Sequence, residues 1–321
     1  ATMNIKVKRT HEISDEEIIE IYDLFYKVFR KKRDVCFFRE EFSNNPKGYS
    51  YHALCYNEND KIVGHNVYIP FLYKKCNYEF YLALSTDAMV DPVYQGQGIY
   101  RKLLQSCEDA AIKDGCKMRI GFPNGNSFPI QIKAMKYIEI GKLSIYCLPI
   151  RLSVINTKLK ILDCISIVLA YAMGYFSYLS AFSNKIYSYK YEKVRKQYDK
   201  YRYRWFNGDY KKVTLNDCEF VYKKAEYKGR EALFLMDVYP LSKANFDKVC
   251  RYMLFHEIAN APMILYVGHI EFTPFSMFKV PEKLEPKKFH FVVKVFDNAF
   301  FGDDVFKISS WNVNLSNYDL L

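Results

Sequence analysis

The sequence predicts a mixed α/β fold, an α+β sheet with strands in both directions, followed by a second α+β half. Three observations predict it. Strand-like and helix-like stretches alternate over about the first 150 residues in the order β-α-β-β-β-α-β-α-β. The turn after the fourth strand is glycine-rich and runs directly into a helix. Beyond an uncharged, apolar stretch at residues 164–184, strand and helix patterns resume toward the C-terminus. The expected division is a first domain over residues 1–150, an apolar helical linker over 151–190 and a C-terminal α+β domain over 191–321.

Each element has a local cause. Asn4 to Arg9 reads as an edge strand. Ser14-Asp15-Glu16-Glu17 is a capping box, with Ser14 at the N-cap and Glu17 three residues on. Ile18, Ile19, Tyr22, Phe25, Tyr26 and Phe29 then recur at helical spacing. Residues 30–48 are charged and end in the loop Asn44-Asn45-Pro46-Lys47-Gly48. Residues 51–56, 62–75 and 79–90 read as successive strands, joined by turns at Asn57-Glu58-Asn59-Asp60 and Lys75-Cys76-Asn77. A helix over 99–113 closes at Asp114-Gly115, followed by a short strand at 117–122. A helix at 127–136, with Ser127 as cap, and a strand at 142–148 complete the first domain.

The junction Val90-Asp91-Pro92-Val93-Tyr94-Gln95-Gly96-Gln97-Gly98-Ile99 bears most on function. Strand, glycine turn and helix start in succession make a cradle for an anion. Glycine lets the backbone approach closely, and the unpaired N–H groups of the first helical turn point at the ligand. No Lys-Ser/Thr pair follows, which excludes a nucleoside-triphosphatase P-loop.

Half of the 321 residues are hydrophobic and 26% are charged, enough for two buried cores and unlike a disordered chain. A formal net charge of +11 favours an anionic ligand or surface. No recognition motif accompanies that charge, so no nucleic-acid partner is expected. The nine cysteines and six histidines lack paired or ligand-like spacing, and no metal is expected. Dispersed thiols fit a reducing compartment, so the expected location is cytoplasmic. Ala1 and Thr2 are set aside as non-native, and no secretory signal is expected.

Cys164 to Asn184 is long and apolar enough to be weighed as a membrane segment. Its serines, tyrosines and Gly174 dilute it. The expectation is helices buried between two domains, with peripheral membrane contact through 164–184 as the alternative. Tyr201-Arg202-Tyr203-Arg204-Trp205 is expected on a solvated helix whose aromatic side packs inward. Strands are expected at 219–223, 232–238, 263–267 and 289–295, and a helix at 242–258.

The glycine turn resembles the pyrophosphate loop of the GNAT (GCN5-related) N-acetyltransferases, Gln/Arg-x-x-Gly-x-Gly/Ala. Gln95 and Gly98 match the first two positions, and Tyr100 stands where the family has Gly or Ala. The element order over residues 4–150 is also the family's. The resemblance implies the GNAT acyl-CoA N-acyltransferase fold, with the C-terminal part as a degenerate GNAT-like domain that shapes the acceptor pocket. It implies acetyl-CoA as co-substrate. Met89 and Val90 would offer main-chain contacts to the pantetheine arm. Gln95, Gly96, Gln97, Gly98, Ile99 and Arg101 would hold the pyrophosphate, the first five largely through N–H groups; the alternative for Arg101 is a solvated helix residue. Tyr100 must then point away from the cofactor, or the pyrophosphate must sit slightly differently.

Gly121-Phe122-Pro123-Asn124-Gly125-Asn126-Ser127 is similar to a signature of a GNAT subgroup that carries an extra C-terminal domain and occurs among bacterial surface-glycan genes. That implies a small-molecule amine acceptor, an amino sugar, nucleotide- or lipid-linked. Asn124 then faces the cofactor arm or acceptor, or it only closes the turn. The family's thiolate-protonating Tyr position falls on Gln131 or Ile132, so either water or Tyr137 serves. No family position fixes the base. Asp87 alternates with apolar neighbours on the fourth strand, where an amine would arrive, and is the candidate; its alternative is a hydrogen-bonding strand residue. Ser85 and Thr86 are the acceptor-binding candidates. The expected reaction is direct acetyl transfer to a primary amine. Acylation of a peptide, protein or antibiotic amine, and a non-catalytic GNAT-fold binding protein, are the alternatives.

Overall fold

The computed structural model describes residues 3–154, 156–183, 185–205, 210–227, 230–257 and 262–318. In chain order its elements are β1 (Asn4–Arg9), α1 (Asp15–Phe29), α2 (Phe38–Ser43), β2 (Tyr51–Tyr56), β3 (Ile62–Lys75), β4 (Tyr78–Val90), α3 (Ile99–Lys113), β5 (Met118–Gly121), α4 (Phe128–Lys133) and β6 (Ile138–Pro149). There follow α5 (Asp163–Phe176), β7 (Tyr191–Lys193), α6 (Arg195–Trp205), β8 (Tyr210–Thr214), β9 (Glu219–Tyr227), β10 (Arg230–Tyr239), α7 (Lys243–Glu257), β11 (Met263–Gly268), β12 (Phe278–Lys279) and β13 (Phe289–Val295).

The chain divides into two compact units, each discontinuous in sequence. The first comprises Ala1–Gly141, Tyr191–Trp205 and His290–Lys307. Its sheet runs β1-β2-β3-β4-β5-β13. The first four strands are antiparallel neighbours, β5 lies parallel to β4, and β13 lies antiparallel to β5. β7 adds to the far end of β3. β3 is buried residue after residue from Ile62 to Phe71, as a strand covered on both faces must be. α1 and α3 both pack on it. Gly64 admits α3: a Cβ there would lie 3.0 Å from Leu103 Cδ1 and 3.1 Å from Ile99 Cγ2. The capping box at α1 forms as expected, with Glu17 N–H donating to Ser14 Oγ at 3.2 Å and Ser14 N–H to Glu17 Oε2 at 3.0 Å.

The second unit comprises Lys142–Lys190, Phe206–Phe289 and Ile308–Leu321. Its sheet runs β6-β11-β10-β9-β8, with β10 and β11 parallel and the other pairs antiparallel. β12 pairs with β6. The order β8-β9-β10-α7-β11 repeats β2-β3-β4-α3-β5, which makes the second unit a degenerate copy of the first. The two halves also exchange a strand. β6, from the first half of the sequence, completes the second sheet, and β13, from the second half, completes the first.

Three expectations are corrected. Residues 191–205 and 290–307, assigned from sequence to the C-terminal domain, fold with the first unit. The helix expected over 127–136 spans only Phe128–Lys133, and Ser127 caps nothing with its side chain. Asn124 Oδ1 instead closes the turn before the helix, accepting from the N–H groups of Asn126 and Ser127 at 3.1 and 3.0 Å. The apolar stretch is not buried: Thr157–Phe182 is only 17% buried across its most apolar window. In α6, Tyr198 packs on Phe71 and Tyr73; the side chains of residues 202–205 lie outside the described residues.

Candidate active site

The glycine turn forms at the end of β4. Asp91 Oδ1 accepts from Val93 N–H at 3.0 Å, and Asp91 Oδ2 pairs with Lys27 Nζ at 2.6 Å. Gln95 turns its side chain back, donating from Nε2 to the Val90 carbonyl at 3.1 Å. Its own N–H reaches the Pro92 carbonyl at 3.5 Å. Gly96 and Gly98 sit at φ +80° and +73°, the left-handed region that favours glycine. A Cβ at either would meet no atom within 4 Å, so the space beside both is open.

Gly98 is the N-cap of α3 and brings no side chain to cap it. The first helical bond runs from Lys102 N–H to the Gly98 carbonyl at 3.2 Å. Among the described residues, none accepts from the main-chain N–H groups of Gly96 through Arg101. Unpaired N–H groups and the positive end of a 15-residue helix converge on the open space. Tyr100 points away from it: its hydroxyl accepts from Gln131 Nε2 at 3.0 Å. Gln97 and Arg101 are exposed at the rim.

The neighbouring strand offers an edge. β4 pairs with β5 only from Leu82 to Leu84, yet continues to Val90. Among the described residues no strand pairs with that edge over Ser85–Val90. An extended ligand arm can add there as a strand would, beside Met89 and Val90. On the other edge, β4 carries one extra residue against β3, between Val67↔Thr86 and His65↔Met89. Asp87 occupies this bulge at φ +50°. Strained non-glycine residues at bulges collect at functional sites.

Asp87 is bridged by Arg33, Nη1 to Oδ2 at 2.5 Å and Nη2 to Oδ1 at 3.3 Å. Arg33 also reaches Glu41 at 3.5 Å and lies over the Phe25 ring at 4.1 Å. Burial opposes the guanidinium charge, but Asp87 and Glu41 outweigh it and hold Arg33 above its ordinary value. Thr86 Oγ1 lies 3.4 Å from Asp87 Oδ1, and Ser85 Oγ donates to Asn66 Oδ1 at 3.2 Å. Asn66 is fully buried, and its Nδ2 has no partner. Beside it, His65 and His52 stack with Nε2 and Nδ1 at 3.0 Å, and His52 Nε2 meets Thr10 Oγ1 at 3.1 Å. Burial pushes the His65 imidazole down to about 4, with Asp87 raising and Arg33 lowering it by lesser amounts. His65 Nδ1 is buried without a partner.

Tyr137 lies in the interior. Its hydroxyl donates to Glu108 Oε2 at 3.0 Å and lies 3.2 Å from the Tyr68 hydroxyl. Glu108 is paired in turn with Lys294 of β13. Arg119 of β5 lies over the Tyr137 ring at 4.1 Å and donates to Gln131 at 3.3 Å. Burial, chiefly, raises the Tyr137 phenol well above its ordinary value. Asn124 has its carbonyl oxygen engaged in the turn after β5.

Sequence reasoning passed over Arg33, His52, His65, Asn66 and Glu108. Arg33 lies in a charged loop without periodicity, so nothing local marks it. The histidines were findable. Antiparallel register through a turn at residues 57–60 makes His52 and His65 diagonal neighbours on one face.

The first unit thus combines an antiparallel meander, a parallel strand that leaves an open edge on β4, and a helix start with unpaired N–H groups. Residues 18–127 match the acetyltransferase (GNAT) family, and this part of the chain is a GNAT acetyltransferase domain, the domain of an acyltransferase enzyme. The solved structure of a GCN5-related N-acetyltransferase from Kribbella flavida matches 92% of this chain and 72% of its own, with a TM-score of 0.57 at 11% identity. A conserved Enterococcus faecalis V583 protein of unknown function, described as a probable N-acyltransferase, matches 92% and 73% with a TM-score of 0.56 at 12% identity. Eis1 from Mycobacterium abscessus matches 92% and 73% with a TM-score of 0.54 at 10% identity. At these identities the likeness is one of fold. No curated protein matches the sequence.

Proposed function

We propose that the chain transfers an acetyl group from acetyl-CoA to the primary amine of an amino sugar used in bacterial surface-glycan biosynthesis, in the cytoplasm. One observation carries the cofactor reading: the unpaired N–H groups of Gly96 to Arg101 beside the open edge of β4. The location is supported by nine free cysteines. The acceptor rests on the Gly121–Ser127 signature.

When bound, acetyl-CoA supplies the activated thioester. The chain's part is to hold and orient. The N–H groups from Gly96 to Arg101 take the pyrophosphate, and Met89 and Val90 present the β4 edge to the arm. Ser85 and Thr86 orient the acceptor. Asp87 takes the proton from the attacking nitrogen, which requires the Arg33 bridge to open when the acceptor arrives. The C–N bond forms as the C–S bond breaks. Water returns a proton to the sulfur, because the Tyr137 hydroxyl is engaged by Glu108.

Calorimetric titration with acetyl-CoA and free CoA tests the cofactor, and thiol release against a panel of amino sugars, nucleotide-linked amino sugars, peptides and aminoglycosides tests the acceptor. Stoichiometric binding with release on amino sugars supports the proposal; release only on peptides or aminoglycosides moves the acceptor class. The Arg33 bridge favours a second reading, a binding protein without turnover. Binding with no release on any amine would establish that one. Binding by neither compound removes both.

A further inference from the structure

α5 and its flanking 3-10 turns put small residues inward and large apolar residues outward. Ser166, Ala170, Gly174, Ser177 and Ser180 are buried. A Cβ on Gly174 would lie 2.8 Å from Leu254 Cδ2 of α7. Ser166 Oγ donates to the Ile150 carbonyl at 2.8 Å, and Arg251 Nη1 donates to Ser177 Oγ at 2.9 Å. On the opposite side Ile161, Ile165, Val168, Leu169, Phe176 and Phe182 are 57% to 88% exposed. Within the helix, Ile165, Val168, Leu169 and Phe176 fall at i, i+3, i+4 and i+11, one stripe. A helix of a soluble protein ordinarily hides such a stripe, and a contiguous apolar face of this kind marks an interaction site.

The charges bordering the stripe say what covers it. Lys158 and Lys160 precede it and Lys185 follows. The one acidic residue between residues 157 and 185 is Asp163. Its carboxylate is held by Ser153, from N–H at 2.8 Å and from Oγ at 2.5 Å. Exposed Tyr175 and Tyr178 add amphipathic rings of the kind that sit at lipid headgroup level. We propose that this face seats on the surface of an anionic lipid bilayer, the stripe entering the acyl boundary and the lysines meeting headgroup phosphates. A bilayer span does not fit, because the small-residue stripe is bound along α7. A second copy fits poorly: pairing two chains of charge +11 through a lysine-bordered face brings like charges together. The surface stands independently of the acyl-transfer chemistry.

The test is flotation of the full chain with vesicles of phosphatidylcholine alone and with about a third phosphatidylglycerol. The expected result is flotation with the mixed vesicles that weakens as salt rises. The double variant Leu169→Asp/Phe176→Asp should lower partitioning about tenfold or more, since an exposed apolar pair loses its transfer energy. Its thermal melting should match the parent's, because neither side chain packs inward. Lys158→Gln/Lys160→Gln/Lys185→Gln should abolish the preference for phosphatidylglycerol. Absence of flotation with either vesicle, or undiminished flotation of the double aspartate variant, overturns the proposal. A dimer in sedimentation that Leu169→Asp dissolves, with no flotation, overturns it and assigns the face to a second copy.

Discussion

Gly98→Ala separates the architecture of the glycine turn from its use. The backbone there sits at φ +73°. A residue with a Cβ pays roughly 1–2 kcal/mol for that region. No packing clash adds to this, since nothing lies within 4 Å of the new methyl. At roughly 2–4 °C per kcal/mol for a protein of this size, melting should fall only a few degrees. Binding should fall much further. The methyl enters the space onto which the N–H groups of Gly96 to Arg101 open. Hydrogen bonds to a charged group contribute about 1.5–3 kcal/mol each, so losing two weakens CoA by roughly a hundredfold or more. Gly115→Ala is the matched control. Gly115 lies past the other end of α3, at φ +86°, and a Cβ there also meets nothing within 4 Å. It should melt like Gly98→Ala yet bind CoA like the parent. Calorimetry with CoA and a thermal melt of each variant decide the matter. Parental affinity in Gly98→Ala, or an equal loss in Gly115→Ala, refutes the cradle.

Four further outcomes are expected. Asp87→Asn should lower kcat by about a hundredfold or more while sparing the Kd for CoA; an unaltered rate would retire Asp87 as the base. His65 is held neutral, with its value pushed down to about 4 from 6.5. As pH falls the unfolded chain therefore takes up a proton first, so this contribution to stability is full above pH 6.5 and is lost progressively down to about pH 4. The urea midpoint of His65→Gln should be measurably less acid-sensitive across that window. Burial works against ionised Asp114, but hydroxyls of Tyr49 and Tyr51 and the Lys47 ammonium bring it down to about 2. Its stabilisation is present above pH 3.8 and lost as pH falls toward 2, so Asp114→Asn should flatten the melting curve in that window. Ser242→Ala removes the cap of α7, in which Ser242 Oγ accepts from Asn245 N–H at 3.0 Å. It should lower stability by about 1 kcal/mol in a denaturant titration and leave CoA binding untouched.

What was legible in the sequence was local. Ser14 and Glu17 announce α1 because a capping box is closed within four residues. The turn at Gly96 and Gly98 announces itself because positive φ restricts residue type where it occurs. The strand at 289–295 was recognisable as a strand, but its place beside β5 is a pairing across more than 160 residues, and periodicity carries no record of partners. The same limit hid the bulge. Asp87 reads as an ordinary alternating strand position until the register against His65 and Val67 shifts by one residue. In the apolar stretch the composition was plain, but its orientation was not. Close approach to Leu254 selects Gly174 and the serines for the inside, leaving the large residues out.

The duplicated order gives a comparison within one chain. Each half runs three antiparallel strands into a helix and then a parallel strand, so each has a junction where a helix starts at a strand end. In the second unit Ser242 and Asn245 close that junction, Asn245 donating to the Pro240 carbonyl at 2.9 Å while Ser242 caps the helix. In the first, Gly98 stands at the N-cap and leaves the N–H groups open. With glycine at the N-cap, a helix start is destabilised relative to one capped by Ser or Asn by only about a few tenths of a kcal/mol. The fold itself does not require that cost, because α7 begins at the equivalent junction with its cap in place. The uncapped start of α3 suits the proposed cofactor role, since it leaves N–H groups to a ligand, whereas the start of α7 commits the Asn245 N–H to Ser242.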